Sequence, residues 1–97
     1  MFHHVVLFTF NEHLPKDHPG VLVAELQRFA STLRGLVSYA CGPNAGVLDS
    51  GADFGIVAVF EDATAWREYD TAEEHDRIRS ELFKPYVMHR HAIQFVG

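Results

Sequence analysis

The feature that most constrains this chain is the run Phe54–Phe60, in which every residue is apolar or glycine. A strand with one solvent-exposed face alternates apolar and polar residues, whereas an unbroken apolar run predicts a strand that is buried on both faces. A chain of 97 residues has little material with which to cover both faces. The run therefore predicts a sheet that one copy of the chain covers on one side only.

Hydrophobic periodicity predicts three more strands and one long helix within a single domain that spans residues 1–97. Apolar and β-branched residues predict strands at Phe2–Phe10, at 36–41 and at 86–96. Apolar residues at helical spacing predict an amphipathic helix that begins near Asp17 and ends at Gly35. The hydrophobic content of 47% is sufficient for one core.

Two shorter helices are predicted after the apolar run. Asp62 is suited to cap the first of them, which carries Tyr69 on its apolar face. Residues 71–74 read Thr-Ala-Glu-Glu, a capping-box pattern that predicts the start of the next helix. That helix places His75 in its first turn and ends before Pro85.

The resulting order β-α-β-β-α-β is typical of a ferredoxin-like α+β fold, a four-stranded antiparallel sheet with helices on one face. Val5, Leu7, Val57 and Val59 then lie on the sheet face opposite His4. Burying four such side chains in each of two chains gains roughly 10 to 20 kcal/mol, against about 4 to 15 kcal/mol for association. We therefore expect a homodimer whose sheets pack face to face as a dimeric α/β barrel.

Composition excludes several classes of partner. The formal net charge is −5 and the eight Lys and Arg residues are scattered, which argues against nucleic acid. No apolar run approaches the roughly 18 residues of a membrane span, and the first residues lack the pattern of a signal peptide. We therefore expect no membrane partner and a cytoplasmic location.

A pocket is predicted between the sheet and the helices, with mostly apolar walls and a few converging polar groups. We expect His91 and Ile93 of the last strand to lie on the same side of the sheet as His4. The residues predicted to line the pocket are His4, Val6, Phe8, Phe54, Ile56, Trp66, Tyr69, His75, His91 and Ile93.

Several short motifs carry a resemblance to a known family. They include the opening strand His4-Val-Val-Leu-Phe8, the segment Gly42-Pro-Asn44 and, above all, Tyr69 followed six residues later by His75. Over nearly its whole length the chain resembles the stress-responsive dimeric α/β-barrel (Dabb) family. The resemblance implies a dimeric ferredoxin-like fold.

The resemblance also implies candidate catalytic residues. In olivetolic acid cyclase, a plant member of this family that cyclises a linear polyketide, a first-strand histidine, a helix tyrosine and a later histidine line the pocket. These match His4, Tyr69 and His75. The aspartate that orients the catalytic histidine in that enzyme corresponds to Ile93 here, so the resemblance implies a site without that carboxylate.

These residue types suit proton transfer without a cofactor. Histidine has an unperturbed pKa of about 6.5, so His75 is suited to remove a proton next to a carbonyl. Tyr69 is suited to donate a hydrogen bond to the enolate oxygen, and His4 to hold the carbonyl or shuttle the proton. The expected ligand is a small hydrophobic or aromatic, polyketide-like molecule.

Three alternatives stay open. The first is a non-catalytic, stress-responsive binding or accessory protein, in which the same His and Tyr side chains are structural. The second is a metal site that combines His89 and His91 with His4. The third is a monooxygenase-like dimeric barrel, although Asn11 follows the first strand and does not match the first-strand asparagine of those enzymes.

Overall fold

Four strands and three helices form the chain in a computed structural model that describes residues 1–49 and 51–97. The strands have the order β2-β3-β1-β4 and every neighbouring pair is antiparallel. This arrangement confirms the predicted ferredoxin-like α+β fold. The elements are β1 (Phe2–Phe10), α1 (His18–Ala30), β2 (Leu36–Pro43), β3 (Phe54–Phe60), α2 (Ala63–Thr71), α3 (Glu73–Ile78), a π-helical turn (Arg79–Phe83) and β4 (Val87–Val96).

The core lies between one face of the sheet, here called the inner face, and the helices. The central strand β1 points its even-numbered side chains to the inner face, and β3 does the same because it pairs directly with β1. Helix α1 covers them with an apolar side. The main buried residues are Val6, Phe8, Phe10, Leu22, Leu26, Phe29, Phe54, Ile56, Ala58 and Phe60.

The opposite face of the sheet, here called the outer face, is also apolar, and no helix of the described residues covers it. Leu7 and Val57 are each 46% exposed, and Ile93 and Phe95 on β4 are exposed as well. Val5 pairs directly with both Val57 and Ile93, so these side chains form one continuous surface across three strands. The apolar run of β3 is thus covered on one side only within a single chain.

The predicted placement of His91 and Ile93 on the side of His4 is wrong. Gln94 lies directly opposite His4, whereas Ile93 pairs with Val5 and His91 pairs with Leu7 on the outer face. Directly paired residues of antiparallel strands point to the same side of a sheet. Both faces of β4 carry apolar residues, so its alternation does not indicate which face is inside.

The capping-box prediction is also wrong, while the other predicted cap is confirmed. Thr71 is the last residue of α2, and its hydroxyl donates to the carbonyl of Arg67. Ala72 precedes α3 without a side-chain cap. At the start of α2 the carboxylate of Asp62 accepts a hydrogen bond from the Ala65 N–H at 2.9 Å. No helix in residues 1–49 or 51–97 has the length and hydropathy to cross a membrane.

Gly35 joins the loop before β2 to the start of α2. Its φ of +74° lies in the left-handed region, and its carbonyl accepts a hydrogen bond from the Glu61 N–H at 2.8 Å. A Cβ at this position would lie 2.7 Å from the Cβ of Ala65. The close approach therefore requires glycine and sets the position of the helix that carries Tyr69.

We expect Gly35→Ala to destabilise the fold more than Gly46→Ala. Gly46 has a similar φ of +81°, but an added Cβ meets no atom of the described residues within 4 Å. The control Gly46→Ala therefore loses only the free energy that a left-handed conformation costs an alanine, about 1 to 2 kcal/mol. The overlap with Ala65 adds about 1 to 3 kcal/mol to Gly35→Ala. Urea unfolding of both variants measures the difference. Equal losses of stability would contradict the prediction.

Candidate functional site

A cavity of about 500 Å³ lies between the inner face of the sheet and the helices, within the size range of small-molecule sites. One part of its wall is apolar, formed by Val6, Phe8, Leu26, Ile56, Ile78, Phe83 and Val87. The other part is polar, formed by His4, Tyr69, Asp70, His75, Arg79, Lys84 and Arg90.

Six of the residues predicted from the sequence line this cavity. They are the three predicted catalytic residues, His4, Tyr69 and His75, together with the predicted apolar residues Val6, Phe8 and Ile56. Each of the three polar side chains is at least nine-tenths buried in the fold. The structure therefore brings together in one place side chains from β1, α2 and α3.

Four predicted residues do not line the cavity. Phe54 is buried behind it, with its ring 6.5 Å from that of Phe8. Trp66 packs outside it against His4, at a centroid distance of 5.7 Å. His91 and Ile93 lie on the outer face for the reason given above.

His75 has one ring nitrogen in a hydrogen bond, and within residues 1–49 and 51–97 its other ring nitrogen has no hydrogen-bond partner. Its ring is stacked on Phe29 and lies 4.3 Å from the ring of Tyr69, centroid to centroid. Nδ1 lies 3.1 Å from the backbone carbonyl oxygen of Asp70. Because a carbonyl oxygen only accepts, Nδ1–H is the donor and Nε2 of the neutral ring keeps its lone pair. This tautomer is the one that a general base requires.

Burial lowers the pKa of His75, and the hydrogen bond to the Asp70 carbonyl opposes part of that shift. The positive charge of Arg79 lowers the pKa further. Desolvation disfavours the charged imidazolium, so the ring is neutral near pH 7. His75 therefore has an available lone pair at neutral pH.

His4 is held in the opposite tautomer. The amide Nε2–H of Gln94 donates to His4 Nδ1 at 2.9 Å, so the proton of the neutral ring is on Nε2. Burial, with a smaller contribution from the charge of Arg90, lowers the pKa of His4 to about 4. The ring is therefore a neutral hydrogen-bond donor above about pH 4, beside a histidine that is a neutral acceptor.

Tyr69 lies between the two imidazoles and stays protonated. Its ring centroid is 6.2 Å from that of His4, and burial raises the pKa of its hydroxyl. The hydroxyl of Tyr39 lies 3.5 Å from that of Tyr69. When Tyr39 donates in this pair, the Tyr69 proton is left for another acceptor.

Sequence reasoning missed Asp70, which supplies the carbonyl that orients His75. The carboxylate of Asp70 also lies 4.0 Å from His75 Nδ1 and forms an ion pair with Arg79 at 3.1 Å. Position Ile93, where the resemblance implied that an orienting aspartate was missing, lies on the outer face. The signal in the sequence was the position of Asp70 directly after Tyr69 and five residues before His75.

The π-helical turn changes which side chains reach the cavity. The Lys84 N–H donates to the carbonyl of Arg79, five residues earlier, at 2.8 Å. Arg79, Phe83 and Lys84 line the cavity, whereas Leu82 packs against the core outside it. Regular helical spacing from Ile78 and Arg79 would instead have predicted that Leu82 lines the cavity.

Metal coordination is not supported by the donor groups that the structure describes. Within 1–49 and 51–97, no three His, Cys, Asp or Glu side chains are placed to share one ion. His89 and His91 pair with Thr9 and Leu7 on the outer face, on the other side of the sheet from His4. The predicted combination of these three histidines is therefore wrong.

A match to a family model identifies the family of this chain. The family model described as the stress responsive A/B barrel domain (Dabb) matches residues 2–96. The chain belongs to the Dabb family. The resemblance inferred from the motifs around His4, Tyr69 and His75 is confirmed at the level of the family, while the likeness to olivetolic acid cyclase stays a prediction. No curated protein matches the sequence.

Solved structures are similar to this Dabb chain over its length. A dimeric ferredoxin-like protein of unknown function from Thermobifida fusca has a TM-score of 0.90 and 24% identity, covering 99% of this chain and 90% of that one. A Dabb family protein from Mesorhizobium loti has a TM-score of 0.79 and 19% identity, with 99% and 95% covered. Hydroxynitrile lyase from Passiflora edulis has a TM-score of 0.82 and 11% identity, with 99% and 92% covered. These values show a common fold.

We expect the Dabb chain to lose stability between pH 7 and pH 5 because His4 is buried neutral. The pKa of His4 is about 4 in the folded chain, against an ordinary value of 6.5. Between these two pH values, His4 is mostly protonated in the unfolded chain and mostly neutral in the folded chain. Stability is therefore complete above pH 6.5 and falls as the pH is lowered towards 4, by about 2 kcal/mol between pH 7.5 and 5 from His4 alone.

Urea unfolding at fixed protein concentration at pH 7.5 and 5.0 measures this loss, in a range that lies above the titration of most carboxylates. The variant His4→Gln cannot take up the proton and should show a smaller loss over the same range. His75, whose pKa is also lowered, accounts for part of what remains. An identical pH dependence in the two proteins would contradict the pKa of His4.

Proposed function

We propose that this Dabb protein is a homodimer that binds a small, mainly apolar carbonyl compound and catalyses proton transfer on it without a cofactor. The observation that carries the proposal is the hydrogen bond from His75 Nδ1–H to the Asp70 carbonyl. It leaves the Nε2 lone pair available inside a cavity with apolar walls. A neutral donor, His4, and a protonated phenol, Tyr69, line the same cavity.

In the proposed reaction, His75 Nε2 removes a proton from the carbon next to the carbonyl. The electron pair of the broken C–H bond forms an enolate, whose oxygen accepts hydrogen bonds from Tyr69 and from His4 Nε2–H. In a polyketide-like chain, the enolate carbon then attacks a second carbonyl of the same molecule. The imidazolium of His75 returns its proton to the new alkoxide, which completes a cyclisation.

The apolar part of the wall suits a hydrophobic or aromatic ligand. Val6, Ile56 and Phe83 offer hydrocarbon surface, and exclusion of water strengthens the hydrogen bonds to the developing enolate. A structural neighbour named as a hydroxynitrile lyase supports an enzyme on this fold. A cytoplasmic location stays part of the proposal.

The outer face supports the proposed dimer. Leu7, Val57, Ile93 and Phe95 leave a large part of their side chains exposed there, and apolar surface of this extent on three adjacent strands marks an interface. Structural neighbours are described as dimeric, including the protein from Thermobifida fusca. Two outer faces packed against each other would form the α/β barrel, with each cavity on the far side of its own sheet.

We expect the wild-type protein to accelerate exchange of the methyl protons of acetophenone in D2O, and His75→Gln to reduce this rate by at least about 100-fold. Acetophenone carries an aromatic ring and one enolisable carbonyl, and proton NMR follows the exchange. The control His13→Gln changes a histidine whose side chain is 77% exposed and should retain the rate. Thermal unfolding establishes that each variant is folded.

Two results would change the proposal. Full exchange activity in folded His75→Gln would remove His75 from the mechanism. Binding of acetophenone by the wild-type protein without any exchange would favour the alternative of a non-catalytic binding protein.

We expect Val57→Asp to convert the dimer to a monomer, because a carboxylate in the centre of an apolar interface is desolvated without a partner. The matched control is Val47→Asp, since Val47 is 92% exposed in the loop after β2. Light scattering at micromolar concentration measures the mass of each. A wild-type monomer, or a dimer that persists in Val57→Asp, would refute the proposed interface.

A further inference from the structure

Three cationic side chains lie around one cavity in a chain whose net charge is −5. Arg79 is neutralised by ion pairs with Asp70 and Asp76. Lys84 and Arg90 are different, since within the described part of the chain no carboxylate oxygen lies within 4 Å of their side-chain nitrogens. The cavity therefore has two cations without a counter-charge.

The backbone of these two residues lies near the contact between Phe8 and Phe83, away from the Cα atom of His4. Arg90 pairs with Phe8, four residues along β1 from His4, which corresponds to about 13 Å between the Cα atoms. Lys84 follows the π-helical turn, nine residues after His75. The rings of Phe8 and Phe83 are 4.7 Å apart, centroid to centroid, so the strand and the turn meet at this end of the cavity.

The cavity therefore combines two kinds of polar group. His4, Tyr69 and His75 form one cluster, Lys84 and Arg90 carry positive charges without a counter-charge, and apolar side chains complete the wall. Arg90 has a long side chain that reaches back from its strand position, in agreement with its electrostatic effect on His4. Lys84 and Arg90 are both exposed to solvent, and the apolar wall beside them makes their attraction for an anion stronger than it would be in open water.

We propose that the ligand carries, in addition to its reacting carbonyl, a carboxylate that is held by Arg90 and Lys84. This proposal rests on the proposed function, whose cavity it extends. The planar guanidinium of Arg90 matches a carboxylate with two parallel hydrogen bonds, and the ammonium of Lys84 adds a second charge. The substrate class is thus an aromatic or polyketide-like keto acid, which should bind more tightly than a neutral ketone such as acetophenone.

The remaining charged side chains at the cavity do not favour a cationic ligand. Asp70 is the one carboxylate among the residues that line it, and this carboxylate is already paired with Arg79. A ligand with an ammonium group would meet Lys84 and Arg90 without compensation. A neutral ligand would leave Lys84 and Arg90 with water as their partner.

The test compares two probes of nearly the same shape, 4-acetylbenzoate and 4-acetylbenzamide. Both carry an enolisable acetyl group at one end of the ring, and they differ in the charge of the group at the other end. Calorimetric titration of the wild-type protein should give at least tenfold tighter binding of the carboxylate. In the double variant Lys84→Gln/Arg90→Gln the ratio of the two affinities should fall towards one.

The control Lys16→Gln removes one positive charge at an exposed residue outside the cavity and should keep the wild-type ratio. Equal binding of the two probes by the wild-type protein, with exchange of the acetyl protons intact, would overturn the carboxylate proposal and leave the proposed function in place. A ratio that the double variant does not change would also overturn it. Absence of both binding and exchange for either probe would overturn the two proposals together.

Discussion

The antiparallel pairing of β1 with β3 on one side and β4 on the other is the interaction on which both faces of the molecule depend. It places His4 opposite Ala58 and Gln94, and therefore against the helices rather than away from them. A slip of one residue would exchange the two faces, moving Val5 inward and His4 outward. The burial of Phe8, Phe10 and their neighbours opposes such a slip, so the same hydrophobic contacts that stabilise the fold also hold the imidazole in the cavity.

Burying two imidazoles, one on each side of Tyr69, costs free energy unless their polar atoms find partners. The fold supplies one partner to each, the Asp70 carbonyl for His75 and the Gln94 amide for His4. These two partners differ in kind, an acceptor in one case and a donor in the other, and so the two rings are left with opposite tautomers. The remaining nitrogens are Nε2 of His75, which carries a lone pair, and Nε2–H of His4. Next to Tyr69, this combination is suited to acid and base chemistry on one molecule.

The distribution of charge and the local irregularities of the fold act together where the π-helical turn and β4 line the cavity. The π-helical turn directs Phe83 and Lys84 to the cavity, and the register shift between Thr9 and Phe10 brings Val87 to the inner face while Arg90 also lies there. Irregular turns of this kind are often found at functional sites because they reorient a few side chains without changing the fold. In this chain they add the cations Lys84 and Arg90 to the lining of the cavity.

Local patterns in the sequence were sufficient to predict β1 and β3 with the observed ends, the cap at Asp62 and a helix pair that carries Tyr69 and His75. They were sufficient because an apolar run, a cap and a helical spacing depend on neighbouring residues only. The side of the sheet that Arg90, His91 and Ile93 face was decided by the tertiary structure, since an alternating strand has two faces and only its pairing with β1 selects the inner one. The π-helical turn and the approach of the Asp70 carbonyl to His75 were decided in the same way. Both join residues five apart in the chain, but they depend on where α3 lies against α1 and α2, and the spacing of residues along the chain does not contain that packing.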